Sequence, residues 1–148
     1  MSAPSAEAEL RRAAANLEVV RAQMDALARQ ADTLQGALED VLRAKETLER
    51  ASAAGKGSEL LIPIGANSFV LGQLKDAERV IVGIGSDVAV EQTVPSAIGR
   101  LNERAKAIEE AERGLAERMA QLEAQADAQS RRVQELYERA QGAPGAPG

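Results

Sequence analysis

Cysteine, histidine and tryptophan are missing from the 148 residues, and the aromatics amount to one phenylalanine and one tyrosine. Without cysteine there is neither a disulfide nor a thiolate nucleophile, and without histidine as well the usual zinc-ligand set cannot be assembled. The commonest general base is absent too. One Phe and one Tyr supply little bulk for a thick core. Long apolar runs are also lacking: none approaches the roughly 18 residues of a membrane span, and the start, MSAPSAEAEL, has neither a basic beginning nor a signal-like apolar segment. A soluble, cytoplasmic protein is expected, and the absence of cysteine fits a reducing compartment. Cationic charge is in deficit, with 18 Lys and Arg against 23 Asp and Glu and a formal charge of −5. That balance argues against a nucleic-acid surface. Neither nucleic acid nor a membrane is an expected partner.

Apparent catalytic motifs fail on inspection. Gly83-Ile84-Gly85 lacks the third glycine of a dinucleotide loop and is followed by a second strand pattern instead of a helix. Gly55-Lys56-Gly57-Ser58 lacks the earlier glycine of a phosphate-binding loop, a position held by Arg50, and no strand precedes it. Glu109 and Glu110 are helical neighbours that point about 100° apart, so they belong to a solvated face and do not form a carboxylate pair. No enzyme activity, no cofactor and no metal site is expected.

Ala, Glu, Gln, Leu and Arg dominate instead, the composition of long helices. Residues 1–54 form a first helical region. From Ser5 to Ser52, steps of three and four residues give Leu10, Ala13, Leu17, Val20, Met24, Leu27, Ala31, Leu34, Leu38, Val41, Lys45 and Leu48, eleven of twelve apolar. Pro4 fits the first helical position, and the glycines after Ala54 fit a helix stop. Residues 95–141 form a second region, with the seam Ile98, Leu101, Ala105, Ile108, Glu112, Leu115, Met119, Leu122, Ala126, Gln129, Val133, Leu136 and Ala140. Both seams exceed the three or four heptads that identify a coiled coil. Each helix spans about 70 Å at 1.5 Å per residue, and equal lengths predict an antiparallel hairpin. Counting outward from its base sets Leu48 near Leu101, Leu34 near Leu115 and Leu17 near Val133. Lys45, Glu112 and Gln129 interrupt the seam as long polar residues that reach water and help to fix register. Gly36, Gly99 and Gly114 weaken their helices by about 1 kcal/mol each and mark possible bends. The tail, residues 142–148, repeats Gly-Ala-Pro and is expected to be disordered.

Between the helices, residues 55–94 hold a linker and four short strands in two hairpins. Their apolar residues form near-continuous runs rich in β-branched side chains, which suits strands covered on both faces. Gly65-Ala66-Asn67 and Gly85-Ser86 supply the turns, and Lys75-Asp76-Ala77-Glu78 joins the hairpins. The 36 residues from Glu59 to Val94 are too few to bury a core alone, because units below about 40 residues usually need disulfides, metal or oligomerisation. Strands of other chains are therefore expected to complete them. The expected interface comprises Leu60, Ile62, Ile64, Phe69, Leu71, Val80, Val82, Ile84, Val88 and Val90. The fold class is α+β, mostly α: a coiled-coil hairpin with two β-hairpins that assemble into a barrel-like body on oligomerisation.

The far ends of the helices offer a second surface. Leu10, Leu17, Val20, Val133, Leu136 and Tyr137 gather there, with Arg131, Arg132 and Arg139 nearby. Helix ends fray at almost no free-energy cost, which suits weak, adaptable apolar contacts. For Leu17 and Val20 closing the seam is favoured over direct contact with a partner, whereas Tyr137 lies one residue beyond a seam position and is the clearest exposed contact.

In its order of long helix, LLIPIGANSFVLGQLKDAERVIVGIGSDVAVEQT and long helix, the chain resembles the α-class subunit of archaeal prefoldin. The specific features are Leu61-Ile62-Pro63-Ile64-Gly65, Phe69-Val70, Lys75-Asp76, Val80 to Gly85 and Val88-Ala89-Val90-Glu91. Two hairpins resemble the α class, where the β class carries one. The resemblance implies a hexamer of two α-class and four β-class subunits, with hairpins forming a double β-barrel body and six coiled coils hanging from it. It also implies ATP-independent holding of unfolded polypeptides at the tips and their transfer to a group II chaperonin. Two other readings stand beside this one: a structural coiled-coil spacer oligomerised through its hairpins, and a hinge fragment of a chromosome-maintenance ATPase. Arms of under fifty residues and the lack of a nucleotide motif count against the hinge.

Overall fold

The structure is a computed structural model that describes residues 5–142. The expectations for Pro4 and for the tail from Ala143 onward lie outside the described residues. The element order is α1 (Ala6–Ala54), β1 (Glu59–Gly65), β2 (Ser68–Gln73), β3 (Arg79–Gly85), β4 (Val88–Thr93) and α2 (Val94–Gln141). This is the mostly helical α+β arrangement that the sequence predicts. The residues divide into two compact units: one takes the described residues up to Leu34 and those from Ala111 onward, and the other is Gln35–Glu110.

Helix ends follow local chemistry. The Ser5 hydroxyl accepts from the Ala8 amide at 3.1 Å, and Glu7 and Glu9 place negative charge in the first turn of α1. At its other end Gly55 adopts φ +87°, a left-handed cap that costs glycine little, and its amide reaches the Ala51 carbonyl at 3.1 Å. Helix α2 begins at Val94, one residue before the expected start at Pro95. The Thr93 hydroxyl accepts from the Ser96 amide at 3.3 Å, and Pro95 occupies the first turn, where its missing amide breaks no helical bond.

In the first unit, the core consists of Ala13, Leu17 and Val20 from α1 with Leu122 and Leu136 from α2. All of these are seam positions. Along α2 from Ile98 to Ala140, every seam residue is buried or half-buried and every other residue is exposed. Lys45, Glu112 and Gln129 are half-buried, as expected of long polar groups at a seam. The two helices run antiparallel, and two of the three expected facings share a groove, Leu34 with Leu115 and Leu48 with Leu101. The third facing does not hold: Glu9, Ala13 and Asn16 share a groove with Ala128, Gln129 and Arg132, so Leu17, one turn further along α1, faces α2 ahead of Ala128 and not at Val133. The reason is physical: slipping one helix by about a heptad again lays seam on seam, so periodicity alone does not fix which residues face one another at this end.

In the second unit, β1 pairs with β2 and β3 with β4, as separate two-stranded antiparallel sheets. The two hairpins repeat one another at a spacing of 20 residues. Pro63 pairs with Phe69 and Gly65 with Ser68; likewise Gly83 pairs with Ala89 and Gly85 with Val88. Each hairpin bulges just before its turn. Ala66 and Asn67 have φ of 50° and 56°, and Ser86 and Asp87 have 50° and 60°, the two positive angles of a type I′ turn. The repeat extends to the strand ends, where Leu74 donates to the Ser58 carbonyl and Val94 to the Glu78 carbonyl, both at 2.9 Å. Beside the hairpins, Val41, Val94, Ala97 and Ala105 are buried.

Candidate functional site

The hairpins present one of two candidate surfaces. Nine large apolar side chains of β1 to β4 stand exposed, among them Leu61 (64%), Phe69 (56%) and Leu71 (70%). Alternation along each strand sorts them by face. In the first hairpin Leu61, Pro63, Phe69 and Leu71 share one face, and Leu60, Ile62, Ile64 and Val70 share the other. Both faces are apolar. In the second hairpin Val80, Val82, Ile84, Val88 and Val90 form one apolar face, of which Val80, Val82 and Val90 are half-buried. Its opposite face carries Arg79 and Glu91, paired at 3.4 Å.

Of the ten expected interface residues, Leu60, Val80, Val82 and Val90 are half-buried and the other six are exposed. Sequence reasoning passed over Leu61, Val70 and Ile81, which are exposed large apolar residues of the same runs. Leaving a leucine or phenylalanine in water forgoes about 1.5–3 kcal/mol per side chain. Monomeric proteins seldom expose so much contiguous apolar surface without a partner.

The junction between the hairpins is fixed by one carboxylate. Asp76 Oδ1 accepts from the amides of Glu78 at 2.8 Å and Arg79 at 3.2 Å, which turns the chain into β3. Between β3 and the helices lies a groove of about 700 Å³ whose lining includes Ala44, Leu48, Val80, Val82, Ala97 and Leu101.

At the end of the first unit, Leu17, Val20 and Leu136 are buried, and Leu10 and Val133 are half-buried. These five lie in the seam and hold the helices together. Tyr137 is the exposed member of the expected set, at 52%. Arg132 lies 3.7 Å from Glu9 across the helix pair. Val19, an exposed apolar residue off the seam, was not singled out by pattern.

Among the described residues no group of three or more His, Cys, Asp or Glu could hold a metal ion, and no helix is long and apolar enough to cross a membrane. What the surfaces offer is apolar contact. The sequence model of the prefoldin subunit family matches residues 20–139. The chain belongs to the prefoldin family. The prefoldin subunit alpha of Pyrococcus horikoshii is 34% identical to it over 132 residues, covering 88% of this chain and 89% of that one. The prefoldin subunit alpha of Methanopyrus kandleri is 37% identical over 78 residues, covering 53% and 50% respectively. These relatives make the chain an α-class prefoldin, in keeping with its two hairpins. The cryo-EM structure of filamentous PFD from Methanocaldococcus jannaschii shares the fold, with a TM-score of 0.51 and 23% identity over 80% of this chain and 92% of that one. Prefoldins are chaperones and not enzymes, which accords with a chain that carries no imidazole or thiol.

Proposed function

We propose that the chain is one subunit of a cytoplasmic hetero-oligomer that holds unfolded polypeptides without ATP and passes them to a group II chaperonin. β-class prefoldin subunits are its partners, with two α and four β chains per complex. The exposed apolar hairpin surface carries this reading, since Leu61, Phe69 and Leu71 are more than half exposed in the single chain. Burying such side chains between subunits is the largest favourable term available to assembly. The strands form a β-barrel body on assembly, and the helix ends bind the client.

At those ends Tyr137 offers the first apolar contact, with Leu10 and Val133 partly open beside it. Leu17, Val20 and Leu136 reach a client when the last turns fray. Each contact is weak. Several of them arranged around one cavity retain a chain that no single one would hold.

The test is the aggregation of a chemically unfolded substrate, followed by light scattering, with the reconstituted complex present. Scattering is expected to fall, and truncation of residues 1–20 and 130–148 is expected to restore it. An unchanged scattering rate, insensitive to truncation, would remove the holdase reading. A structural spacer would leave the unfolded substrate alone and bind a folded partner instead.

A further inference from the structure

Sulfur enters the described residues at two places only, Met24 in α1 and Met119 in α2, because the chain has no cysteine and its third methionine is Met1. Both thioethers occupy seam positions, both are half-buried, and both belong to the first unit. Every other apolar position of the two seams is Leu, Ile, Val or Ala.

Their surroundings match. Val20 and Leu27 stand four residues before and three after Met24, and Leu115 and Leu122 stand at the same offsets from Met119. One groove joins Ala13 to Gln129, and another joins Leu34 to Leu115. Met24 lies between Ala13 and Leu34, and Met119 lies between Leu115 and Gln129. Interpolation along two antiparallel helices sets the thioethers within about one turn of the same level.

Methionine packs much as leucine does, but its sulfur has a reaction that leucine lacks. The sulfur lone pair attacks one oxygen of hydrogen peroxide, the O–O bond breaks, and an S–O bond forms. The hydroxide released takes the proton from the transferred oxygen and leaves as water. The thioether is thereby oxidised to a sulfoxide and the peroxide is reduced. A half-buried sulfur is within reach of an oxidant close to water in size. The product is polar, and the aliphatic side chains of Val20, Leu27, Leu115 and Leu122 offer its oxygen no donor. To be solvated it must leave the seam. Whether it stays unpaired or turns outward, the apolar contact between the helices is lost at that level.

We propose that Met24 and Met119 form an oxidation site of the helix pair, at which a hydroperoxide converts both thioethers to sulfoxides and so loosens the first unit while leaving the hairpins intact. The consequence is confined because neither hairpin contains sulfur. It is also separate from the proposed function, since neither readout below uses a client or a partner chain.

The test treats the full-length chain with hydrogen peroxide. Peptide mass analysis is expected to find one added oxygen on Met24 and one on Met119. Hydrogen exchange followed by mass spectrometry is expected to quicken by about tenfold or more in peptides spanning Leu17 to Leu27 and Leu115 to Ala126, with peptides of Glu59 to Thr93 unchanged. The control is the double variant Met24→Leu, Met119→Leu, which keeps the seam apolar and close in volume and so keeps the fold. Under the same peroxide it is expected to hold the slow exchange of the untreated chain. It retains Met1, so any loosening that persists in it arises outside the two seam positions. Intact thioethers under peroxide that oxidises free methionine in the same tube, sulfoxides without faster exchange, or equal loosening of the leucine variant would each overturn the site.

Discussion

Glu9 Oε2 lies 3.7 Å from Arg132 Nη2, the one ion pair among the described residues that joins α1 to α2. Both side chains remain partly open to water, at 32% and 45%, and Arg132 also approaches Glu135 at 3.8 Å. Exposed pairs of this kind contribute about 0–1 kcal/mol. Glu9→Gln is therefore expected to shift a denaturant midpoint, followed by circular dichroism, by the equivalent of under about 1 kcal/mol. Leu136→Ala is the contrasting change. Its side chain is 1% exposed, and truncation is expected to cost about 2–5 kcal/mol. Equal effects from the two would mean that charge, and not apolar packing, holds this end together.

Tyr137 neighbours Leu136 in sequence but faces water. Tyr137→Ala is expected to reduce the suppression of substrate aggregation by the assembled complex while moving the denaturant midpoint by about 0.5 kcal/mol or less, as for other surface changes. Light scattering and the melt are read on the same sample. Lost stability with intact client holding would reverse the assignment.

Ala66 sits at φ 50°, where a non-glycine residue without a polar side chain is disfavoured by roughly 1–2 kcal/mol. Asparagine tolerates that region. Ala66→Asn is expected to raise the thermal midpoint by about 1–3 °C, as measured by calorimetry, and a lowered midpoint would show that the first turn needs alanine for packing.

Asp76 holds two amides with one oxygen. Asp76→Ala leaves both without that acceptor and is expected to cost about 1–2 kcal/mol, whereas Asp76→Asn retains a carbonyl in the same place and recovers most of it. Hydrogen exchange at Glu78 and Arg79 distinguishes the two variants. Equal exchange rates would mean that water substitutes for the side chain.

How far these features were legible in the sequence depends on what each one rests on. The seam was plain because a helix repeats its environment every 3.6 residues, and a dozen positions on each side report the same face. Leu122 and Leu136 could be picked out as enclosed from spacing alone. Their partners across the pair were not, since a slip of one heptad preserves the pattern. Strands were legible from β-branched runs and the turns from Gly65-Ala66-Asn67 and Gly85-Ser86, but positive φ was assigned to the glycines alone, whereas Ala66, Asn67, Ser86 and Asp87 share it with Gly65 and Gly85. Alanine and serine carry no signal for positive φ. The 20-residue repeat was available by laying Gly65 on Gly85 and was missed, because Leu71 against Glu91 and Phe69 against Ala89 hide it. At the helix ends the seam already separated Tyr137, one residue past it, from Leu17, Val20 and Leu136 within it, and the structure turns the first outward and the other three inward.

The near-identity of the two hairpins makes the chain its own control. Whatever is changed at Leu61, Pro63 or Leu71 has an untouched counterpart at Ile81, Gly83 or Glu91 in the same molecule, with the same pairing and the same bulge. Any divergence in how the twins respond must then come from their neighbours, so exchanging residues between them separates what a hairpin is from where it sits.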